Sequence, residues 1–470
     1  MSRFALTALA AAASAVLLMG VSPGPQPPQD NKQLAHDIFK QLVEIHSSDT
    51  IGTKEIADAI AARLLGGGFA KSDIHILPEE KYPNQVSVVV RYQGKGKGKP
   101  ILWNCHIDIV DARPEDWTLP PFKFTEKDGY FYGRGTSDMK DQDAAVLATL
   151  LRLRHEGFVP DRDIIVAFTA DEEGDWAQDG MRYLMDHHRD LVDAGLAINP
   201  DGDSGEIISN GRADFGVETS QKIYVTYTLT ETNKGGHSSE PRPDNAIYQL
   251  ANALVRFSKY QFPLKTNATT RLYFERMATQ QSGQRKADYL TLAKEPLDLA
   301  AAQRLTADIP LNAILHSTCV ATMLNAGVQE NALPARAVAT VQCRIMPDET
   351  AAGTKATIEQ VIADPSIKVG VLGQVITAPE SPPSPAVFKK LETVVHSMWP
   401  GVAIVPSMSA GASDSLFTRN GGIPSYGVSG SWIDIHDIRA HGRDERREEH
   451  AFYESVEFTH RLMQELTKAE

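Results

Sequence analysis

The sequence predicts an α/β protein with a sheet that is parallel at least in part, divided into more than one domain. Three observations lead there. From Asn31 to about Gly216, short apolar runs of strand length alternate with helical segments. After Gly216 the character changes to a strand-like alternation, an amphipathic helix and a long polar stretch. The chain has 470 residues, well past the roughly 250–300 at which single cores stop growing.

The elements follow in order. Arg3 and the apolar run Phe4 to Val21, then Ser22-Pro23-Gly24-Pro25, read as an export signal with a tether over residues 1–30. An uncleaved membrane anchor is the alternative, because the run approaches spanning length. Export implies a periplasmic or secreted protein. Asn31–Glu44 and Lys54–Leu65 have helical periodicity, and Gly66-Gly67-Gly68 stops the second. Val86–Tyr92, Ile101–Cys105, Ile164–Thr169 and Leu196–Asn199 are predicted strands, with a helix Gln142–His155 among them. Gly94 to Lys99 reads as a solvated hairpin loop.

Beyond Gly216, Lys222–Thr230 and Val338–Met346 are expected strands, and Asn245–Tyr260 and Thr354–Ile362 expected helices. Residues 261–325 read as a partly helical insertion. Four prolines between Pro379 and Pro385 mark a crossing back to the first domain. The closing helix is Phe452–Lys468. Cys105, Cys319 and Cys343 are odd in number and widely spaced, so they read as buried apolar residues rather than a disulfide framework.

Composition excludes one class. Lys and Arg number 47 against 60 Asp and Glu, a formal charge of −13, and no basic stripe exists to neutralise phosphates, so a nucleic-acid partner is not expected.

The chemistry lies at three strand ends. Ile101–Cys105 runs into His106-Ile107-Asp108, Ile164–Thr169 into Asp171-Glu172-Glu173, and Leu196–Asn199 into Asp201. In open α/β sheets such ends face one crevice. The glycine-rich loop Gly133-Arg134-Gly135-Thr136-Ser137-Asp138 brings another carboxylate before a helix. Carboxylates gathered without cations repel or take up protons unless a metal supplies positive charge. Histidine with Asp and Glu, and no cysteine ligand, suits catalytic zinc and paired-metal hydrolases.

These motifs, with Asn199-Pro200-Asp201-Gly202, Gly235-Gly236-His237-Ser238-Ser239 and Ala440-His441-Gly442, resemble the dinuclear zinc exopeptidases. That family includes glutamate carboxypeptidase, carnosinase-type dipeptidases, succinyl-diaminopimelate desuccinylase and the aminoacylases. The resemblance runs in order from Asn31 to Glu470. It implies a catalytic domain with a central mixed sheet flanked by helices, in two parts (31–216 and 377–470), and an inserted α+β lid and dimerisation domain (217–376).

It also implies two Zn2+ per subunit, with Co2+ or Mn2+ as substitutes. His106 and Asp201 hold one ion, Glu173 and His441 the other, and Asp138 bridges them. Glu172 is the implied general base and Asp108 the residue orienting His106. The family pattern further implies a cis Asp138–Met139 peptide. His237 matches a histidine that reaches a neighbouring subunit's site. Asn331, Arg344 and Gly411 match substrate-binding positions, with Arg344 gripping a carboxylate. Implied partners are a small peptide or N-acyl amino acid as substrate and a second copy of the chain, with a membrane only if the N-terminal segment is an anchor. Asp201 departs from the family, where Glu is common, and His436 is the rival to His441 as the last ligand.

Overall fold

The computed structural model describes residues 23–174, 178–208 and 211–469; most of the expected export segment lies outside them. Of the expected tether, residues 23–28 rest on the body, where the Gly24 N–H donates to the buried Glu454. Among the described residues, no helix is long and apolar enough to cross a membrane.

An eight-stranded mixed sheet forms the larger body. Its spatial order is Ile74–Pro78, Val86–Tyr92, Ile164–Thr169, Ile101–His106, Leu196–Ile208, Ser425–Asp434, Gly211–Gln221 and Ala403–Ser409. The central strands are parallel, while Val86–Tyr92 runs antiparallel to Ile164–Thr169. Both faces are covered, which explains why these strands read as unbroken apolar runs. Ile101, Trp103, Cys105, Val166 and Phe168 point into a core with helices Gln29–Val43, Lys140–His155 and Glu449–Leu466. Their alternates Leu102, Ile165 and Ala167 pack on the other face against Met181, Leu184 and Phe417.

Several expectations are corrected. Ile164–Thr169 lies between Val86–Tyr92 and Ile101–His106, so Gly94 to Lys99 is a crossover and not a hairpin loop; Lys95 and Lys97 pair with Asp161. The strand begun at Leu196 does not end at Asn199 but continues to Ile208. Its pairing with Ser425–Asp434 slips between Asn199 and Asp203, and Asp201 sits in that irregularity. Gly211–Gln221 belongs to the large sheet, so the lid begins after Gln221 and not at Val217.

The part expected as the lid is a four-stranded sheet ordered Thr318–Ala326, Arg336–Ile345, Ile223–Thr232, Lys368–Leu372, backed by helices Ala246–Phe257 and Ala351–Ile362. Strand Arg336–Ile345 alternates buried and partly exposed residues, as one covered face requires. Cys319 stands opposite Cys343 in the antiparallel register, and the two form a disulfide. This corrects the reading of both as free buried residues. The strand carrying Cys319 lies inside the stretch read as insertion, so nothing in the 24-residue spacing revealed the pairing. Cys105 is free and buried, as expected.

The rest of the insertion is helical: Ala268–Met277, Gly283–Leu292, Leu299–Leu305 and Ile309–Leu315. Asn267, Asp298 and Asp308 cap three of these helices through their side chains. They pack with one another and with Val405 of the outer strand Ala403–Ser409. The insertion therefore covers an edge of the large sheet.

Candidate metal centre

Five segments deliver the expected ligands to one place. His106 ends a parallel strand, Asp138 ends the glycine-rich loop, Glu173 follows Ile164–Thr169, and Asp201 projects from the irregular stretch of its strand. His441 comes from the late loop. His106 Nε2 lies 3.2 Å from Asp138 Oδ1 and 3.8 Å from Asp201 Oδ1. His441 Nε2 lies 3.0 Å from Asp138 Oδ2 and 2.7 Å from Glu173 Oε1. One carboxylate thus faces both imidazoles, one through each oxygen.

Three groups of donors, each within 4.8 Å, recur among the described residues: His106, Asp138 and Asp201; Asp138, Glu173 and His441; and His106, Glu172 and Glu173. Two imidazoles and three carboxylates with a shared Asp138 fit a pair of divalent ions. His436, the rival histidine, is in none of these groups. The Asp138–Met139 peptide is cis.

Burial of its carboxylates dominates the electrostatics of the cluster. Burial pushes Glu173 up to about 7 and Asp201 up to about 6, against hydrogen bonds from His441 and His106 respectively. Burial also drives Glu172 well above the usual carboxylate range. Hydrogen bonds to Asp138 and then Glu173 push His441 up to about 10. Asp138 is held below its ordinary value by His106 and His441, although burial works the other way.

Buried pairs hold the loops. Asp108, fully buried, accepts the Glu172 and Glu173 N–H groups at 3.1 and 2.9 Å, and its Oδ1 lies 3.7 Å from His106 Nδ1. It therefore holds the Glu172–Glu173 backbone, while His106 Nδ1 lies 3.3 Å from the Asp108 main-chain carbonyl. Glu445 pairs with Arg134 at 2.6 Å and accepts the Ser137 N–H at 2.7 Å, while Arg134 donates to the His441 carbonyl at 3.2 Å. This links the Asp138 loop to the His441 loop. The sequence placed Glu445 beside His441 but gave no sign of this partner. Asp179 and Asp414 are both buried, and burial raises the proton affinity of each.

Arg344 and Gly411 line a cavity of about 470 Å³ together with Glu172, Glu173, Tyr224 and His441. The Arg344 guanidinium lies over the Tyr224 ring at 4.6 Å, makes no ion pair among the described residues, and has a buried Nη1 without a hydrogen-bond partner. His237 and Asn331 are not part of this cavity. They are exposed on a small two-stranded ribbon, where the Ser238 N–H donates to the Asn331 carbonyl at 3.1 Å.

Known proteins resemble this chain in sequence and in fold. The sequence profile of Peptidase family M20/M25/M40 matches residues 102–465. The chain is 31% identical to the N-fatty-acyl-amino acid synthase/hydrolase PM20D1 of Xenopus tropicalis, over 78% of this chain and 72% of that protein. It is 29% identical to a probable carboxypeptidase S-like 2 of Dictyostelium discoideum, over 81% of this chain and 75% of that protein. In fold it is similar to an M20 family metallo-carboxypeptidase of Sulfolobus solfataricus, with a TM-score of 0.69 at 16% identity, covering 92% of this chain and 99% of that one.

Proposed function

The chain belongs to Peptidase family M20/M25/M40, an enzyme family, and on that premise we propose that it is a two-metal carboxypeptidase or dipeptidase that hydrolyses an amide bond next to a free carboxylate in small peptides. One juxtaposition carries this reading: the unpaired Arg344 guanidinium shares a cavity with Glu172, Glu173 and His441. A cation held half-buried without a counter-ion is a receptor for an anion, and its planar fork suits a carboxylate.

In this reading His106 and Asp201 would hold one zinc, Glu173 and His441 the other, and Asp138 would serve both, with cobalt or manganese as substitutes. When bound, such ions polarise the scissile carbonyl and acidify water. Glu172 takes the proton of the attacking water and passes it to the leaving nitrogen. Asp108 fixes the backbone that presents Glu172, and Gly411 leaves the cavity wall bare for the substrate main chain. A second reading, hydrolysis of N-acyl amino acids, is favoured by the name of the Xenopus relative.

Assaying dipeptides, longer peptides and N-acyl amino acids in parallel on the metal-loaded chain tests both. No hydrolysis of any of them ends the proposal. Arg344→Met is expected to lower kcat/KM by about 100-fold for free-carboxylate substrates, the equivalent of roughly 3 kcal/mol for charge-assisted hydrogen bonds. Substrates with an amidated end, poor to begin with, are expected to lose far less.

The lid also supports a homodimer. Its outer strand Thr318–Ala326 is unpaired on one edge and exposes Val320, Met323 and Leu324. His237, exposed and outside the lining of its own chain's cavity, is placed by this reading in the site of a second copy. Mixing inactive His237→Ala and Glu172→Gln proteins is expected to restore part of the activity, since one site in each hybrid is intact; no recovery in hybrids verified by mass refutes shared sites. The apolar segment Phe4 to Val21 supports export, as does the lid disulfide. Terminal sequencing of protein recovered outside the cytoplasm checks this, and recovery only from the cytoplasm contradicts it.

A further inference from the structure

A second cavity, about 310 Å³, has Asp201 in its wall and so adjoins the metal-ligand cluster. The large sheet supplies Asp203, Asp214 and Met408, and the helical insertion supplies Tyr273, Leu311 and Ile314. The insertion thus turns an edge of the large sheet into a partly open pocket beside the ligand cluster.

Its chemistry is two-sided. Tyr273, Leu311, Ile314 and Met408 give it apolar surface. Asp214 is only 6% exposed, yet among the described residues its carboxylate makes no hydrogen bond or ion pair, and it lines the cavity. Asp203 and Glu206 lie in the same wall, and neither they nor Asp214 meets a lysine or arginine within salt-bridge distance among the described residues. The backbone makes room for this charge: a Cβ on Gly216 would lie 2.0 Å from an Asp203 carboxylate oxygen. Burial, with repulsion from Glu206 and then Asp203, pushes Asp214 up to about 7.

An uncompensated buried carboxyl is costly, and a neutral hydrocarbon tail in the pocket leaves it uncompensated. A bare metal ion is a poor match, because none of these three acids belongs to a group of three donors within 4.8 Å among the described residues. An organic cation on a hydrocarbon stem satisfies both sides at once.

We propose that this cavity is the acyl-side subsite of the hydrolase and accepts a hydrocarbon stem ending in an ammonium or guanidinium, with Asp214 as the counter-ion. The proposal rests on the amide-hydrolase reading above and narrows it, selecting basic acyl groups over plain fatty ones.

The test compares caproyl-alanine with ε-aminocaproyl-alanine, equal in length, on the metal-loaded full chain. The amino substrate is expected to be favoured by about tenfold or more in kcat/KM, mainly through KM, and Asp214→Asn to collapse that ratio towards one. A wild-type ratio at or below one overturns the subsite, and that measurement needs no variant to fold. A ratio that survives in a folded Asp214→Asn protein overturns the role of Asp214. Should neither substrate be hydrolysed, the amide-hydrolase reading fails separately. Calorimetric titration with ε-aminocaproate and caproate then decides the pocket: selective binding of the amine that Asp214→Asn weakens upholds it, and equal or absent binding of the two overturns it.

Discussion

Glu172→Gln is expected to lower kcat by about a hundred- to ten-thousand-fold while the protein keeps its full metal content. The second half of that expectation is the more informative. Glu172 belongs with His106 and Glu173 to one of the three donor groups, so geometry alone allows it to be a ligand. Two features favour the base. Asp138 already faces both imidazoles, leaving Glu172 outside the shared arrangement, and Glu172 lies in the same cavity as Arg344, where a substrate amide would rest. Burial raises its proton affinity, and nearby dications lower it again, so the two effects bring the carboxyl towards the range where it can both take and return a proton. The isosteric amide removes that ability without removing volume. Metal analysis beside steady-state kinetics separates the roles: loss of an ion identifies a ligand, and unchanged turnover removes Glu172 from the mechanism.

Much of this site was legible because its residues are local to strand ends. His106, Glu172 and Glu173 each follow a run of apolar residues buried on both faces, and such runs announce themselves without an alignment. Asp201 was found for a partly mistaken reason, since its strand continues to Ile208 and the residue is presented by a slip in pairing rather than a terminus. Pairing between distant segments was the information that sequence withheld. The Cys319–Cys343 disulfide depends on two lid strands meeting in register, and the Arg134–Glu445 bridge joins residues 311 positions apart. The insertion was recognised as partly helical, helped in hindsight by Asn267, Asp298 and Asp308 at helix starts. That it packs on the outer strand Ala403–Ser409 and encloses Asp214 was not deducible, because helical periodicity says which face is apolar and not what it meets.

Asp138→Ala is expected to reduce bound metal from two ions per chain to one or none and to lower turnover on the order of a thousandfold, the rate equivalent of about 4 kcal/mol. Removing an outer ligand such as Asp201 weakens one ion, whereas Asp138 offers one oxygen to the His106 side and the other to the His441 side, so its loss is felt by both. The same residue holds the two imidazoles in place before any metal binds, and without it their raised proton affinity falls. Fewer protons would then compete at the histidines, which by itself favours metal; a net loss of metal in spite of that identifies Asp138 as a ligand rather than an electrostatic neighbour. Acidification gives the complementary reading on the intact protein. Glu173, pushed up to about 7, and His441, pushed up to about 10, must shed protons to bind, so affinity for metal is expected to fall as pH is lowered through neutrality. Atomic absorption on dialysed wild-type and Asp138→Ala proteins across that range checks both points, and two tightly held ions in the variant would show that Asp138 bridges nothing.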